Sequence, residues 1–189
     1  KKLKQISIME LSKDNKSVVG TKTNINCDCL GVAGGWTPAV HLFTQSGGKL
    51  KFRDEDQVFI PSKYPSKQIS IGSCNGDFEL DKLIKNSSDS LKKFLEVKKT
   101  DYENLSVQNS KETNKKNIWL LPSKKIAGKT KPFVDYQNDA TANDIKLALR
   151  EGFRSIEHVK RYTTTGMGTD QGKLGNMHAL GIIADTTGV

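Results

Sequence analysis

Two stretches carry the local signals from which the C-terminal fold is read: Val134-Asp135-Tyr136-Gln137-Asn138-Asp139-Ala140-Thr141-Ala142-Asn143-Asp144-Ile145, and Lys160-Arg161-Tyr162-Thr163-Thr164-Thr165-Gly166-Met167-Gly168-Thr169-Asp170-Gln171-Gly172-Lys173. In the first, Thr141 to Asp144 has the spacing of a capping box, in which a hydroxyl and an acidic side chain satisfy each other's backbone amides at a helix start. Ile145, Ala148 and Leu149 then share one face of the helix, and Gly152 stands where the chain must leave it. Ser155 can begin a second helix, buried along Ile156, Val159 and Tyr162, and the threonine–glycine run from Thr163 ends it. A third helix is expected from about Gly172 to Ile183.

Between the second and third helices, Thr163 to Lys173 gathers hydroxyls, backbone amides and one lysine just before a helix amino end, a composition suited to a phosphate or flavin cradle. A nucleoside-triphosphate loop is excluded. Gly168 to Gly172 is one residue short of the required glycine spacing, and Leu174 stands where that loop needs a hydroxyl. Anion binding and a purely structural glycine-rich turn both remain compatible with the composition. His41, His158 and His178 are scattered, without a triad or ligand spacing, and no general acid–base carboxylate pair stands out. Bond-breaking chemistry is therefore expected in other polypeptide.

The 189 residues allow one domain or two small ones, and 35% hydrophobic content is adequate for modest cores. Apolar runs such as Leu30 to Val32 and Gly181 to Ala184 are too short to span a bilayer, and Lys1 to Glu10 lacks the apolar centre of a secretory signal. Cys27, Cys29 and Cys74 lack the paired spacing of a zinc site, and an odd count without a secretory segment fits a reducing compartment. A cytoplasmic protein with no membrane contact is expected. The net charge of +9 divides as +3 over residues 1–80, +7 over 81–131 and −1 over 132–189. The basic middle is Lys-, Ser- and Asn-rich and holds no Arg, which is the composition of a solvated linker rather than a nucleic-acid surface.

Residues 1–80 read as β-rich, with strand candidates at Gln5 to Met9, Ser17 to Gly20 and Asn26 to Val32, the last a buried strand fitting a parallel-sheet edge. Cys27 to Pro38 runs from that strand into a glycine turn, followed by a helical turn at Ala39 to Thr44. A second glycine cluster, Ser70 to Gly76, precedes a helix from Asp77 to Ile84 that continues toward Phe94. Both clusters have strand–turn–helix contexts suited to close backbone approach or an anion, although neither is a full dinucleotide fingerprint.

The sequence resembles a section of the alpha subunit of heterotetrameric sarcosine oxidase, a bacterial flavoenzyme. Three motifs carry the resemblance: Cys27 to Leu42, Phe133 to Asp139, and Gly152 to Lys173. Together they span about a quarter of the chain. The resemblance implies an α+β (α/β) organisation: residues 1–80 as the C-terminal portion of a FAD/NAD(P)-binding-type domain, 81–131 as linker, and 132–189 as a small three-helix domain resembling bacterioferritin-associated ferredoxin. Cluster-bearing relatives of that small domain hold iron through cysteines at the positions of Asp135, Gln137, Asp170 and Gly175. None of these supplies a thiolate, so no iron–sulfur cluster is expected. The start at Lys1 fits an internal section, with the nucleotide fingerprint expected before it and a folate domain after Val189.

What the resemblance implies about function is specific. The enzyme oxidises sarcosine to glycine, passing electrons from FAD through FMN to oxygen to give hydrogen peroxide, while tetrahydrofolate takes up the one-carbon unit as 5,10-methylenetetrahydrofolate. FAD and the amine site belong to the beta subunit, and FMN to the alpha–beta interface, so no catalytic residue is expected in this chain. Thr163, Thr164, Thr165, Gly166, Thr169, Gln171 and Lys173 are the candidates for lining FMN, with Lys173 balancing phosphate charge. Gly34, Gly35, Trp36, Thr37 and Pro38, with Gly72 and Ser73, are the candidates facing NAD; flavoproteins of that superfamily usually have Asp at the position of Ser73, which favours NAD over FAD. The partners implied are the beta subunit and the other subunits of the complex. A related amino-acid dehydrogenase or cyanide-forming complex would share the scaffold but keep cluster cysteines, and a basic nucleic-acid-binding module would need the Lys-rich middle to act as a folded surface.

Overall fold

A computed structural model of the chain describes residues 2–32, 35–65, 67–96, 117–122 and 130–189. In chain order the elements are β1 (Gln5–Leu11), β2 (Val18–Asn26), α1 (His41–Gln45), β3 (Lys49–Arg53), β4 (Val58–Lys63), a 3-10 turn (Gly72–Asn75), α2 (Leu80–Leu95), β5 (Phe133–Asp135), β6 (Ala140–Thr141), α3 (Ala142–Arg150), α4 (Ile156–Thr163) and α5 (Asn176–Thr187). The chain divides into two compact units, Gly31–Asn117 and a second made of Lys1–Leu30 with Ile118–Val189. The mixture of helices with small antiparallel strand pairs is an α+β composition.

Every described strand pair is an antiparallel hairpin: β1 with β2, β3 with β4, β5 with β6. This corrects the expected parallel edge. The connections Ser12–Ser17 and Asp54–Gln57 are short, and short connections join antiparallel neighbours, whereas a parallel pair needs a long crossover. The strand expected over Asn26 to Val32 is corrected as well. The β1 ladder is exhausted at the Gln5–Asn26 pair, after which Cys27 N donates a last bond to Lys4 O at 3.2 Å. Beyond it the backbone has no partner strand among the described residues, and Val32 is 83% exposed rather than buried.

Among the described residues of the Gly31–Asn117 unit, the buried apolar residues include Phe43 on α1 and Val58 and Ile60 on β4. Phe43 meets Tyr64 edge-on at 4.9 Å between ring centroids. Arg53, at the end of β3, pairs with Asp56 across the hairpin turn and donates to Gly76 O at 2.7 Å, tying the hairpin to the 3-10 turn. Gly76 is left-handed (φ +82°), and a Cβ there would lie 2.8 Å from Ile60 Cγ2, so this corner accepts only glycine. Leu80–Leu95 is helical although it falls largely in the Lys-, Ser- and Asn-rich stretch, and no residue of it is fully buried.

The second unit holds the larger core. Val134 on β5, Ala142, Ile145, Ala148 and Leu149 on α3, Val159 on α4, and Ala179, Ile182 and Ile183 on α5 form one buried cluster. The capping box is present in both directions: Thr141 Oγ1 accepts from Asp144 N, and Asp144 Oδ2 accepts from Thr141 N at 2.8 Å. α3 ends before Gly152, whose φ of +100° turns the chain away, and Ser155 precedes α4. The third helix begins later than expected, at Asn176, because Gly172 and Gln171 are left-handed and belong to the preceding loop. Trp119 and Leu120, which lie in the span read as linker, pack on this core. Gly181 makes room for Trp119: a Cβ there would fall inside its indole.

Candidate functional site

The loop between α4 and α5 is built from its carboxyl-end cap outward. Thr164 ends α4 in the left-handed conformation, φ 60° and ψ 11°. Thr163 Oγ1 donates to Val159 O at 2.8 Å, one turn back, and the Thr163 and Thr165 hydroxyls are 2.8 Å apart. Both residues are buried, Thr165 almost completely at 1% exposure. Their hydroxyls therefore satisfy each other inside the unit, as buried polar groups must. Thr164 is exposed, with its hydroxyl donating to Thr163 O at 2.6 Å.

Most backbone amides of the loop are already engaged. Met167 N donates to Thr164 O, Gln171 N to Gly168 O, Lys173 N to Asp170 O, and Thr165 N to Thr163 Oγ1. Asp170 collects Gly172 N on one carboxylate oxygen at 3.3 Å and Leu174 N on the other at 3.4 Å. A phosphate-cradling nest needs amides that point at the ligand, so this loop would have to recognise an anion mainly through side chains. Gln171 Nε2 is committed to Gly168 O at 3.2 Å. Thr169 and Lys173 are exposed, and among the described residues their side-chain donors have no partner.

The strand-turn Phe133–Asn138 grips this loop from the other side. Asp135 is buried (5% exposed), and its Oδ1 accepts Gln137 N at 2.8 Å and Asn138 N at 3.0 Å. Its Oδ2 accepts Gly166 N at 2.7 Å and Asn138 Nδ2 at 3.3 Å. Burial pushes the Asp135 carboxyl up, but the donors from Gly166, Asn138 and Gln137 together outweigh it and hold it below the ordinary carboxylate range. Asn138 Nδ2 also reaches Thr164 O at 3.1 Å, and Gln137 Oε1 accepts Asp170 N at 3.4 Å.

Glycines close the remaining gaps. The Asn176 carboxamide fills the space where side chains at Gly166 and Gly172 would sit, and a Cβ at Gly175 would stand 2.7 Å from Val134 O. Gly166 and Gly172, both at φ +72°, are thereby fixed as glycines on two counts. Asn176 Oδ1 is buried without a donor among the described residues. Asp135, Gln137 and Asp170 thus each accept backbone amides, and Gly175 lies in close contact with the Val134 carbonyl. No three His, Cys, Asp or Glu side chains converge among the described residues.

The other candidates lie in the Gly31–Asn117 unit. Gly34 is outside the described residues. Gly35 has φ +114° and open space around it, Trp36 is 84% exposed, Thr37 is exposed and Pro38 is buried. Gly72 opens the 3-10 turn at φ +65° with Leu83 behind it, and Ser73 is exposed. Asp135, Asn138 and Asn176, which organise the loop, are absent from the residues singled out for ligand contact by sequence. The signal that could have found Asp135 is an acidic residue on an otherwise apolar strand two and three residues ahead of polar turn residues, the pattern of a side chain capping its own turn.

No described helix is long and apolar enough to cross a membrane. Residues 129–189 match the family model described as the sarcosine oxidase A3 domain. The chain is 33% identical over 181 residues to the sarcosine oxidase subunit alpha of Rhizobium meliloti (strain 1021), an alignment covering 90% of this chain and 17% of that protein. It is 30% identical over 196 residues to the sarcosine oxidase subunit alpha of Corynebacterium sp. (strain P-1), covering 99% of this chain and 20% of the relative. The corresponding subunit of Corynebacterium sp. (strain U-96) is 29% identical over 197 residues. The chain spans about a fifth of the length of these relatives.

Proposed function

Because the chain belongs to the sarcosine oxidase alpha subunit family, we propose that it serves in a heterotetrameric flavin-dependent oxidase that converts sarcosine to glycine. Oxygen and tetrahydrofolate are the co-substrates, and hydrogen peroxide and 5,10-methylenetetrahydrofolate the products. In that assembly this chain contributes to the FMN-lined boundary with the beta subunit. The amine-oxidising site lies elsewhere, and FAD and tetrahydrofolate bind outside these residues. Gly35 to Pro38 and the Gly72–Ser73 turn contribute to a region facing NAD.

One observation carries the reading: the segment matched by the A3 family model contains a loop whose frame is internally bonded while Thr169 and Lys173 are left facing outward. FMN, when bound, supplies electron transfer. The chain's own residues would hold its phosphate, Lys173 as the counter-charge and Thr169 as a hydroxyl donor. Thr163 and Thr165, whose hydroxyls are turned inward, support the loop instead of touching the ligand. Gly166 contributes through its conformation.

The test is reconstitution with the beta subunit and the rest of the alpha subunit, comparing FMN content and sarcosine-dependent peroxide formation for wild type, Lys173→Ala and Thr169→Ala. Loss of one charge-assisted contact is expected to weaken FMN binding about tenfold in the lysine variant, with assembly intact and a smaller effect from the threonine. FMN content and peroxide formation unchanged in both variants would make the loop structural.

A further inference from the structure

We propose that Asp135 is the positioning residue of the 163–173 loop: its carboxylate, held on strand β5, sets the backbone conformation in which Thr169 and Lys173 face outward. Its side chain is the place where two segments far apart in sequence share one acceptor. Oδ1 closes the turn after β5 through Gln137 N and Asn138 N, and Oδ2 takes Gly166 N from the loop at 2.7 Å.

The loop needs such an external grip. Thr164 and Gln171 are non-glycine residues in the left-handed region, at φ 60° and 52°, a conformation kept only where surroundings over-determine it. Gly166 and Gly172 are packed on Asn176 on one side, so the loop is located there by contact. Contact alone does not orient an amide; Asp135 does, by giving the Gly166 N–H its acceptor. Asn138 extends the grip by bridging Asp135 Oδ2 and Thr164 O, the carbonyl at the end of α4. Gln137 adds a second link at Asp170 N. Residues 135, 137 and 138 thus hold 164, 166 and 170, and the outward residues lie between or just beyond these points.

The consequence for a bound ligand rests on the FMN reading; the positioning itself does not. The experiment therefore has two arms. In the first, amide resonances of the 189-residue chain are compared for wild type, Asp135→Asn and Thr141→Ala. The asparagine keeps the shape but turns an N–H donor toward one of the amides that the carboxylate accepted. Gly166 and the Met167–Lys173 amides are expected to shift in Asp135→Asn. They are expected to stay in place in Thr141→Ala, which weakens the same unit at the capping box without touching the loop. Asn138→Ala, at an exposed position, removes the bridge to Thr164 and should move Gly166 in the same direction by less, providing a test should Asp135→Asn fold poorly.

In the second arm, the reconstituted complex of Asp135→Asn is expected to lose FMN about tenfold faster than that of Thr141→Ala. An unmoved Gly166 resonance in Asp135→Asn and Asn138→Ala overturns the proposal, as do equal loop shifts in Asp135→Asn and Thr141→Ala. Loop resonances that move while FMN retention stays at the wild-type level uphold the positioning role and reject the FMN reading.

Discussion

Gly181→Ala should destabilise the unit containing α5 even though alanine is the better helix former, because the new methyl lands inside the Trp119 ring. Two effects oppose each other. Replacing an interior helical glycine by alanine gains about 1 kcal/mol. Undocking a partly buried tryptophan re-exposes on the order of 100 Å² of apolar surface, costing about 2–3 kcal/mol. The contact loses, and the net is a destabilisation of about 1–2 kcal/mol, a fall of about 3–6 °C in melting temperature for a chain of this size. Trp119 also meets His178 edge-on at 6.1 Å, so its emission reports the docked state. In a Trp36→Phe background, which removes the tryptophan that is 84% exposed, Gly181→Ala should shift emission to the red. The sign is the sharper criterion. In a Trp119→Ala background the same substitution should stabilise by about 1 kcal/mol, since only the propensity gain remains. A stabilising Gly181→Ala with unshifted emission in the presence of Trp119 would refute the docking.

Two further outcomes follow from the hydrogen bonds of the same unit. Thr141→Ala removes the hydroxyl that caps α3 and should cost about 1 kcal/mol in a denaturant titration. The acid dependence should trace to Asp135. Its folded-state acidity is raised, so its contribution is fully present above the unfolded carboxylate pKa of about 3.9 and is lost as pH falls through the lower folded value. Melting temperatures between about pH 5 and 3 should therefore fall less steeply for Asp135→Asn than for wild type; parallel curves would assign the acid sensitivity to other carboxylates.

The helical part of the second unit was the more legible in the sequence because its signals are local. Thr141 and Asp144 cap a helix through groups three residues apart, and Ile145, Ala148 and Leu149 select one face without reference to anything distant. The β3–β4 hairpin escaped notice because its strands are short and Lys-rich, and what fixes it is Arg53 reaching Gly76, a contact over 23 residues. Trp119 was hidden for a related reason: Ile118 to Leu121 is a small apolar island beside a lysine-rich stretch, and only the notch at Gly181 reveals its place. Leu30 to Val32 show the converse, apolar residues that have no pairing strand among the described residues. At the candidate site, residue types were readable and directions were not. The three threonines look alike in sequence, yet two turn inward and one faces out.

The grip of Asp135 on Gly166 also bears on how the domain comes into being. A loop fastened by a bound inorganic cofactor waits for delivery and assembly, and it opens again when the cofactor is stripped or oxidised. A carboxylate and four N–H partners are encoded in the chain and present as soon as it is synthesised. They offer a chelator nothing to remove and a peroxide nothing to oxidise. The fastening of the loop therefore needs no delivered group, and acid that protonates the Asp135 carboxylate weakens it.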